Sequence, residues 1–253
     1  MSSVQHGPAA VQGNGHTHID EHHWGGIPAR IFLQPVAAPS VLGLFGFGAA
    51  TFMVAANLAG WYGTKTATPL FLFPFAAILG GVAQFTAGVW AYRARDVLAT
   101  AMHGTWGSFW IAYGLFWWLV ANHTITPPTG STFVAFGYWF IVLAAITFSG
   151  SMAALARGKG GMFSVLGTLT AGSILLAIAY LIGSSLLIMW GGWVLVASAV
   201  LAWYTATAMM MLATTGRTVL PLFEYSRAAN VPGGQPLVPV QYADGEPGIK
   251  MGQ

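Results

Sequence analysis

Three bulky apolar residues, Phe47, Trp106 and Leu169, each stand among small or hydroxyl-bearing neighbours in an apolar stretch of the chain. Small neighbours let helix backbones approach closely in lipid and leave the bulky side chain free of crowding along its own backbone. If the three side chains meet on one axis at similar depth, they form an apolar constriction that selects by size and by dewetting. The spacing therefore predicts a narrow pore with its constriction at these three residues.

A polar solute on such a path needs neutral groups that bind it on both sides of the constriction. The predicted pore-lining or solute-binding residues are Ser40, Gly43, Gly46, Gly48, Thr51, Asn57, Gln84, Thr86, Ser108 and Thr168. The Trp106 indole N–H is a further predicted donor to the solute. Two alternatives stay open, because any one glycine is equally typical of close helix packing and Gln84 of a hydrogen bond between helices.

Histidines supply the remaining candidate chemistry. The segment "HTHIDEHH" near the N-terminus offers His16, His18, His22 and His23 as weak metal ligands, but it lacks the fixed spacing of a structural site. We predict a tail with no resident metal or cofactor, with a regulatory metal or pH sensor as the alternative. His103 is the one histidine inside an apolar stretch. Its position near a helix end favours an interfacial residue over a pore-mouth or proton-sensing group.

The elements that position these residues are predicted to be membrane helices. The chain is 56% hydrophobic and 6% charged, against about 25% charged residues in soluble domains. Apolar runs cover residues 41–62, 70–92, 100–121, 132–156, 162–184 and 186–212, each near the ~20 residues that cross a bilayer. The prediction is an all-α integral membrane protein with six transmembrane helices per protomer around a narrow pore. A cytoplasmic His-containing tail (1–37) precedes the channel domain (38–223), and a disordered cytoplasmic tail (224–253) follows it.

Charge placement orients the chain and excludes several function classes. Cations cluster in the N-terminal segment, the even-numbered loops and after the sixth run, whereas the odd-numbered loops hold Lys65 alone. The positive-inside rule therefore places both termini in the cytoplasm of a multi-pass cell-membrane protein. Every Asp and Glu lies outside the runs or at their ends, which argues against cation pumping. Nine Lys and Arg residues are too few for a nucleic-acid partner. The sequence also offers no nucleophile–base pair of the kind that would indicate an enzyme.

Four sequence blocks, in order and at matching spacing, resemble the acetate uptake transporter family, the succinate–acetate permeases. They are 39–48 ("PSVLGLFGFG"), 80–88 ("GGVAQFTAG"), 106–110 ("WGSFW") and 216–221 ("GRTVLP"). The resemblance covers about residues 38–223. It implies six transmembrane helices per protomer, a homohexamer in which each protomer has its own pore, and passage of acetate, succinate or related small carboxylates, with proton coupling left open.

Carried over residue by residue, the family's constriction of Phe, Tyr and Leu falls on Phe47, Trp106 and Leu169. The tyrosine is thus replaced by the larger tryptophan. The family's first-helix signature, Asn-Pro-Ala-Pro-Leu-Gly-Leu, reads Ala-Pro-Ser-Val-Leu-Gly-Leu at residues 38–44. Its later polar cluster, Asn-x-His-Asn, reads Ala-Ala-Asn-Leu at residues 55–58. These differences predict a more apolar pore mouth than in the relatives.

Three function classes follow from the sequence. The leading interpretation is a channel or transporter for small carboxylates. The second is a channel for a neutral solute such as urea, a short amide or ammonia, to which an uncharged pore narrowed by Trp106 is equally suited. The third is a membrane sensor that transports nothing and uses the histidine tail.

Overall fold

The computed structural model describes residues 36–126 and 133–225, together with the backbone of two short strands. Strand β1 (His22–Trp24) pairs with β2 (Ile27–Ala29) in an antiparallel hairpin. In sequence the strands are separated by Gly25-Gly26, a pair typical of two-residue hairpin connections. The hairpin belongs to a different compact unit from the helices, and it gives the expected N-terminal tail some regular structure.

In the described part of the chain, six long helices coincide with the six apolar runs. They are α1 (Pro39–Leu58), α2 (Pro69–Ala94), α3 (Val97–Ala121), α4 (Val134–Ala156), α5 (Gly160–Ile182) and α6 (Ser185–Thr215). All but α3 are both long and apolar enough to cross a membrane. Helix α3 has 25 residues, and its histidine, glycine and aromatic residues make it less apolar. The all-helical membrane architecture predicted from the sequence is confirmed.

Local signals explain where the helices begin and end. The Asp96 Oδ1 atom accepts a hydrogen bond from the Ala99 N–H at 2.9 Å and caps the start of α3. Gly183 ends α5 at φ 71°, and the Ser184 hydroxyl then accepts from the Leu187 N–H at 3.3 Å to begin α6. The boundary between the last two helices carries no charge or proline, so a glycine turn followed by a serine cap is what separates them.

Helix α2 contains an eight-residue π-helical segment, Ala76–Ala83, shortly after Pro74. A proline inside a helix removes a backbone hydrogen bond, and π segments widen the helix locally, frequently at functional sites. Gly80 and Gly81 lie in this segment and are buried. A Cβ at Gly80 would lie 2.5 Å from the Ala50 Cβ of α1 and 2.7 Å from the Trp110 ring of α3. The widened turn therefore packs closely against both neighbouring helices.

The six helices form a ring in chain order, and α6 packs back against α1. Each neighbouring pair is closely packed except α3 and α4, which make few direct contacts. Large apolar side chains are exposed around the outside, as expected where lipid replaces water as the solvent, and they include Phe71, Phe75, Tyr138, Leu186 and Trp203. The interior faces of α1, α3 and α5 carry the three bulky side chains singled out from the sequence.

Candidate functional site

Two cavities lie end to end along the inside of the helix ring. The wide cavity has a volume of about 330 Å³ and reaches Lys65 and Thr66 in the loop between α1 and α2. The narrow cavity has a volume of about 30 Å³ and reaches Asp96 and Lys159, at the opposite ends of the helices. Trp106 and Leu169 line both cavities and therefore lie between them.

Phe47, Trp106 and Leu169 come together from α1, α3 and α5. Their side chains are 2%, 3% and 1% exposed. The Phe47 and Trp106 ring centroids are 6.0 Å apart at an interplanar angle of 71°, an edge-on contact, and Phe47 and Leu169 both line the narrow cavity. The bulky residues singled out from the sequence thus stand where the two cavities meet, and their role as a pore constriction stays a prediction.

The indole N–H of Trp106 is already engaged, contrary to the expectation that it binds a solute. It donates to the Thr147 Oγ1 of α4 at 3.0 Å, and the Thr147 hydroxyl donates in turn to the Leu143 carbonyl at 2.6 Å. Thr147 is fully buried. It was missed in the sequence because it lies on an even-numbered helix, in a run that otherwise reads as lipid-facing. This chain of hydrogen bonds fixes the orientation of Trp106 across the loosely packed α3–α4 pair.

Replacing Thr147 with valine is expected to free the Trp106 ring. Valine keeps the shape but removes the acceptor, and a buried N–H without a partner costs about 1–3 kcal/mol. We expect a lower midpoint of thermal unfolding in detergent and a changed ratio of succinate to acetate flux in liposomes. Thr147→Ser keeps the hydroxyl and is the matched control, which should retain the wild-type flux ratio. An unchanged ratio of succinate to acetate flux in Thr147→Val would show that the hydrogen bond to Thr147 is not needed to orient Trp106.

The narrow cavity is the more polar of the two. Ser40, Gln84 and His103 line it beside the charged pair Asp96 and Lys159. His103 is 3% exposed, so the expectation of an interfacial histidine is corrected. Its burial depends on Gly43, where a Cβ would lie 2.5 Å from the imidazole ring. Gly43 therefore makes room for His103 instead of presenting its backbone to the cavity.

Two buried polar atoms at this cavity have no hydrogen-bond partner among the described residues, the Gln84 Oε1 acceptor and the His103 Nδ1 atom. A buried polar atom without a partner is costly unless water or a solute satisfies it. Gln84, which the sequence left open between solute binding and helix contact, therefore has an amide oxygen with unused hydrogen-bonding capacity. The positions of Ser40 and Gln84 agree with the predicted path.

Aromatic side chains dominate the wide cavity. Its aromatic lining is Trp106, Phe109, Trp110, Tyr113, Trp117, Phe133, Phe136, Phe140 and Tyr180. Five of these residues recur on α3 at intervals of three or four positions, which places them on one helix face. The sequence carries that signal, and helix periodicity in the aromatic residues would have revealed this wall.

Thr51 and Asn57 also line the wide cavity, as predicted. The Thr51 hydroxyl oxygen has no hydrogen-bond partner among the described residues. The Asn57 amide instead donates to the carbonyls of Tyr62 and Thr64, at 2.7 and 3.3 Å. Asn57 therefore holds the α1–α2 loop in place at the mouth of the cavity, and its NH2 group is not free to bind a solute. Partial burial raises the pKa of the nearby Tyr62 phenol.

Five other predicted pore-lining residues lie away from both cavities. Gly46 faces the Leu79 carbonyl of α2, and Gly48 faces α6, where its Cβ would lie 3.2 Å from the Ala199 carbonyl oxygen. Thr86 and Ser108 are exposed on the outside, and the Thr168 hydroxyl donates to backbone carbonyls of its own helix. These positions are corrected, because each residue lies one or two helical steps of ~100° away from a residue that borders the interior.

The four weak metal-ligand candidates of the N-terminal tail fall outside what the structure describes. His16 and His18 lie outside the described residues, and so do the side chains of His22 and His23. Within the part of the chain that the structure describes, no three His, Asp or Glu residues come close enough together to hold a metal ion.

A short segment after α6 covers the end of the path at Lys159. The N–H groups of Gly160 and Gly161 donate to the carbonyls of Phe223 and Leu222, at 2.8 and 3.0 Å. Glu224 then lines a small pocket together with Asp96 and Lys159. Burial raises the pKa of the Glu224 carboxyl, and the charge of Lys159 opposes that change. The C-terminal tail predicted to start at residue 224 thus has its first two described residues held against the start of α5.

Comparisons with known proteins agree with this architecture. The chain is 28% identical over 191 residues to the succinate-acetate/proton symporter SatP of Escherichia coli, a match that covers 75% of this chain and 96% of that protein. It is 26% identical over 174 residues to ammonia transport outward protein 2 of Saccharomyces cerevisiae, covering 68% of this chain and 61% of the yeast protein. The solved structure of the bacterial acetate channel SatP superposes with a TM-score of 0.67 at 25% identity, over 74% of this chain and 98% of that one.

These relatives are membrane transport proteins, and the family resemblance seen in the four sequence blocks is confirmed. The GPR1/FUN34/yaaH family matches residues 27–226, which include all six helices and the segment that follows them. The chain is therefore a multi-pass membrane protein related to transporters of small solutes, and it belongs to the GPR1/FUN34/yaaH family.

Proposed function

We propose that the chain conducts small carboxylates, acetate and related short acids, through the two cavities and past Phe47, Trp106 and Leu169. The observation that carries the proposal is the position of Trp106 and Leu169, which line both cavities while the cavities reach opposite ends of the helix ring. A single apolar narrowing between two cavities is the arrangement expected of a pore that selects by size.

The charge at the mouth of the wide cavity favours an anion over a cation. Lys65 lines the wide cavity at its mouth, and Lys159 lines the narrow cavity at the other end, where Asp96 and Glu224 also approach. Among the described residues, no carboxylate lines the wide cavity. A short carboxylic acid is under ~1% protonated at pH 7, so the species that reaches the mouth is predominantly the anion. Lysine attracts it to the mouth, and neutral groups such as Thr51 and Gln84 bind it inside.

The orientation and assembly are part of the same proposal. Arg93, Arg95, Arg157, Lys159 and Arg217 fall at one end of the helix ring and Lys65 at the other. The positive-inside rule then places the narrow cavity, and both termini, on the cytoplasmic side of the cell membrane. Each protomer of a homohexamer would hold its own pore, in line with the family resemblance.

A neutral solute is the second candidate, and one observation favours it. The wide cavity is lined mainly by aromatic and aliphatic side chains and carries a single charged side chain at its mouth among the described residues. Such a wall binds uncharged solutes such as urea, short amides or ammonia as readily as it binds the apolar end of a carboxylate. Two yeast relatives are ammonia transport outward proteins.

Competition for acetate uptake separates these candidates. Purified protein in liposomes should take up labelled acetate, and unlabelled propionate, lactate or succinate should compete while urea and ammonium should not. Liposomes without protein supply the background, and runs with and without a pH gradient distinguish a channel from a proton symporter. Uptake of labelled urea or ammonia without acetate uptake would favour the second candidate, and absence of flux for all solutes would contradict both.

A further inference from the structure

A basic cleft opens on the side of the helix ring between α3 and α4, beside the narrow cavity, with which it shares the lining residues Asp96, Leu98, Met102 and Lys159. It has a volume of about 510 Å³, and its charged lining is Arg95, Arg157 and Lys159 with Asp96. The Asp96 Oδ1 atom already accepts the Ala99 N–H. Three cations therefore face one carboxylate that caps a helix, and with Glu224 near Lys159 the cleft still has a net positive charge.

The floor of the cleft is largely apolar and runs along α4 away from the charged end. Ile146, Ser149, Gly150, Ala153 and Arg157 all line it from α4. They recur every three or four residues and so form one stripe along the helix. The eleven helical steps from Ile146 to Arg157 span ~16 Å at the helical rise, about the ~15 Å of hydrocarbon in one leaflet of the bilayer. Small residues in the middle of the stripe make it a groove.

Exposed apolar side chains stand at the rim of the cleft. Val97 is 66% exposed beside Arg95, and Leu155 is 47% exposed beside Arg157. At the base, Met102 of α3 closes the groove against Gly150, where a Cβ would lie 2.5 Å from the methionine sulfur. A free ion would have to pass an apolar rim to reach the basic residues. An amphiphile in the bilayer could instead place its charged headgroup at the basic residues and its apolar chain in the groove.

We propose that this cleft binds one anionic phospholipid, with its phosphate at Arg95, Arg157 and Lys159 and an acyl chain along the α4 groove. Basic pockets between membrane helices are typical sites for anionic headgroups. The lipid would fill the loosest contact of the ring, between α3 and α4, which carry Trp106 and Thr147. Binding should therefore stabilise the fold, whichever solute the protein conducts.

The test uses the full chain in mild detergent with phosphatidylglycerol added, and phosphatidylcholine as the neutral comparison. We expect phosphatidylglycerol to remain bound in native mass spectrometry and to raise the midpoint of thermal unfolding more than phosphatidylcholine. Each basic residue near the membrane surface contributes about fivefold in affinity, so Arg95→Gln with Arg157→Gln should weaken binding about 25-fold. Ala153→Leu keeps the charges but fills the groove, and it should also reduce binding.

Arg93→Gln is the matched control, because Arg93 is exposed two residues from Arg95 and does not line the cleft. Equal weakening by Arg93→Gln would overturn the proposal and indicate only general surface charge. An equal stabilisation by inorganic phosphate, or normal binding in Ala153→Leu, would overturn the acyl-chain site. A changed oligomer mass in the double variant would show that the cleft faces a second copy of the chain instead.

Discussion

Trp106→Ala is expected to raise the flux of succinate more than the flux of acetate. Trp106 lies between the two cavities and contacts Phe47 edge-on, with the ring centroids 6.0 Å apart. Removing the indole therefore opens the path most for the larger solute. We expect the ratio of succinate to acetate flux to rise on the order of tenfold, which corresponds to about 1.4 kcal/mol in the difference between the two barriers. Labelled uptake into liposomes, normalised to folded protein, measures this ratio.

Two further variants separate selectivity from folding. Truncating a buried tryptophan to alanine costs about 3–5 kcal/mol of stability, so Trp106→Phe, which keeps an aromatic ring, should widen the path less and preserve the fold better. Trp90→Ala is the control, because Trp90 lies on the outside of α2 and is 50% exposed. If Trp106→Ala leaves both fluxes unchanged in folded protein, Trp106 does not border the path and the proposed route is wrong.

Gly46→Ala is expected to destabilise the folded protein strongly. The added Cβ would collide with the Leu79 carbonyl oxygen of α2, a backbone atom that cannot move aside as a side chain can. Overpacking of this kind costs about 1–3 kcal/mol, and more where the backbone must shift. We expect a lower unfolding midpoint and loss of the single peak in size-exclusion chromatography. Flux should fall only in proportion to the folded fraction.

Two other glycines complete a graded series. At Gly48 the new Cβ would lie 3.2 Å from the Ala199 carbonyl oxygen, so Gly48→Ala should cost less than Gly46→Ala. At Gly104 nothing lies within 4 Å of the new Cβ, and Gly104→Ala should be neutral or stabilising by up to ~1 kcal/mol through helix propensity. A Gly46 variant that folds normally but conducts poorly would instead place Gly46 on the path and contradict the helix-packing interpretation.

The glycines of α1 show how sequence reasoning failed at the level of helix faces. The Gly46-Phe47-Gly48 pattern correctly indicated that helices approach closely here. The same pattern also led to the prediction that one of the two glycines borders the pore. The structure points Phe47 inward and turns Gly46 towards α2 and Gly48 towards α6. Steps of ~100° per residue place the two neighbours on opposite flanks of the same helix, and each flank meets a packed neighbour in the ring.

Thr147 and the segment from Leu222 to Glu224 show a second limit. Both act through partners far away in sequence: Thr147 accepts from Trp106, 41 residues earlier, and the segment binds the start of α5. A single sequence does not indicate which hydrogen-bond donor will lie beside which acceptor when the two residues are far apart in the chain. These contacts follow only from the order in which the helices pack around the ring.

Sequence alone determined the membrane setting, the positions of the six helices and the three bulky residues that meet at the centre. Hydrophobic length and glycine or capping signals act locally, so they can be read without knowing the fold. The tertiary structure alone decided which faces border the cavities and which contact lipid or other helices. The physical reason is that lipid is as apolar as a helix interface, so periodic hydrophobicity does not distinguish the inside of this ring from its outside.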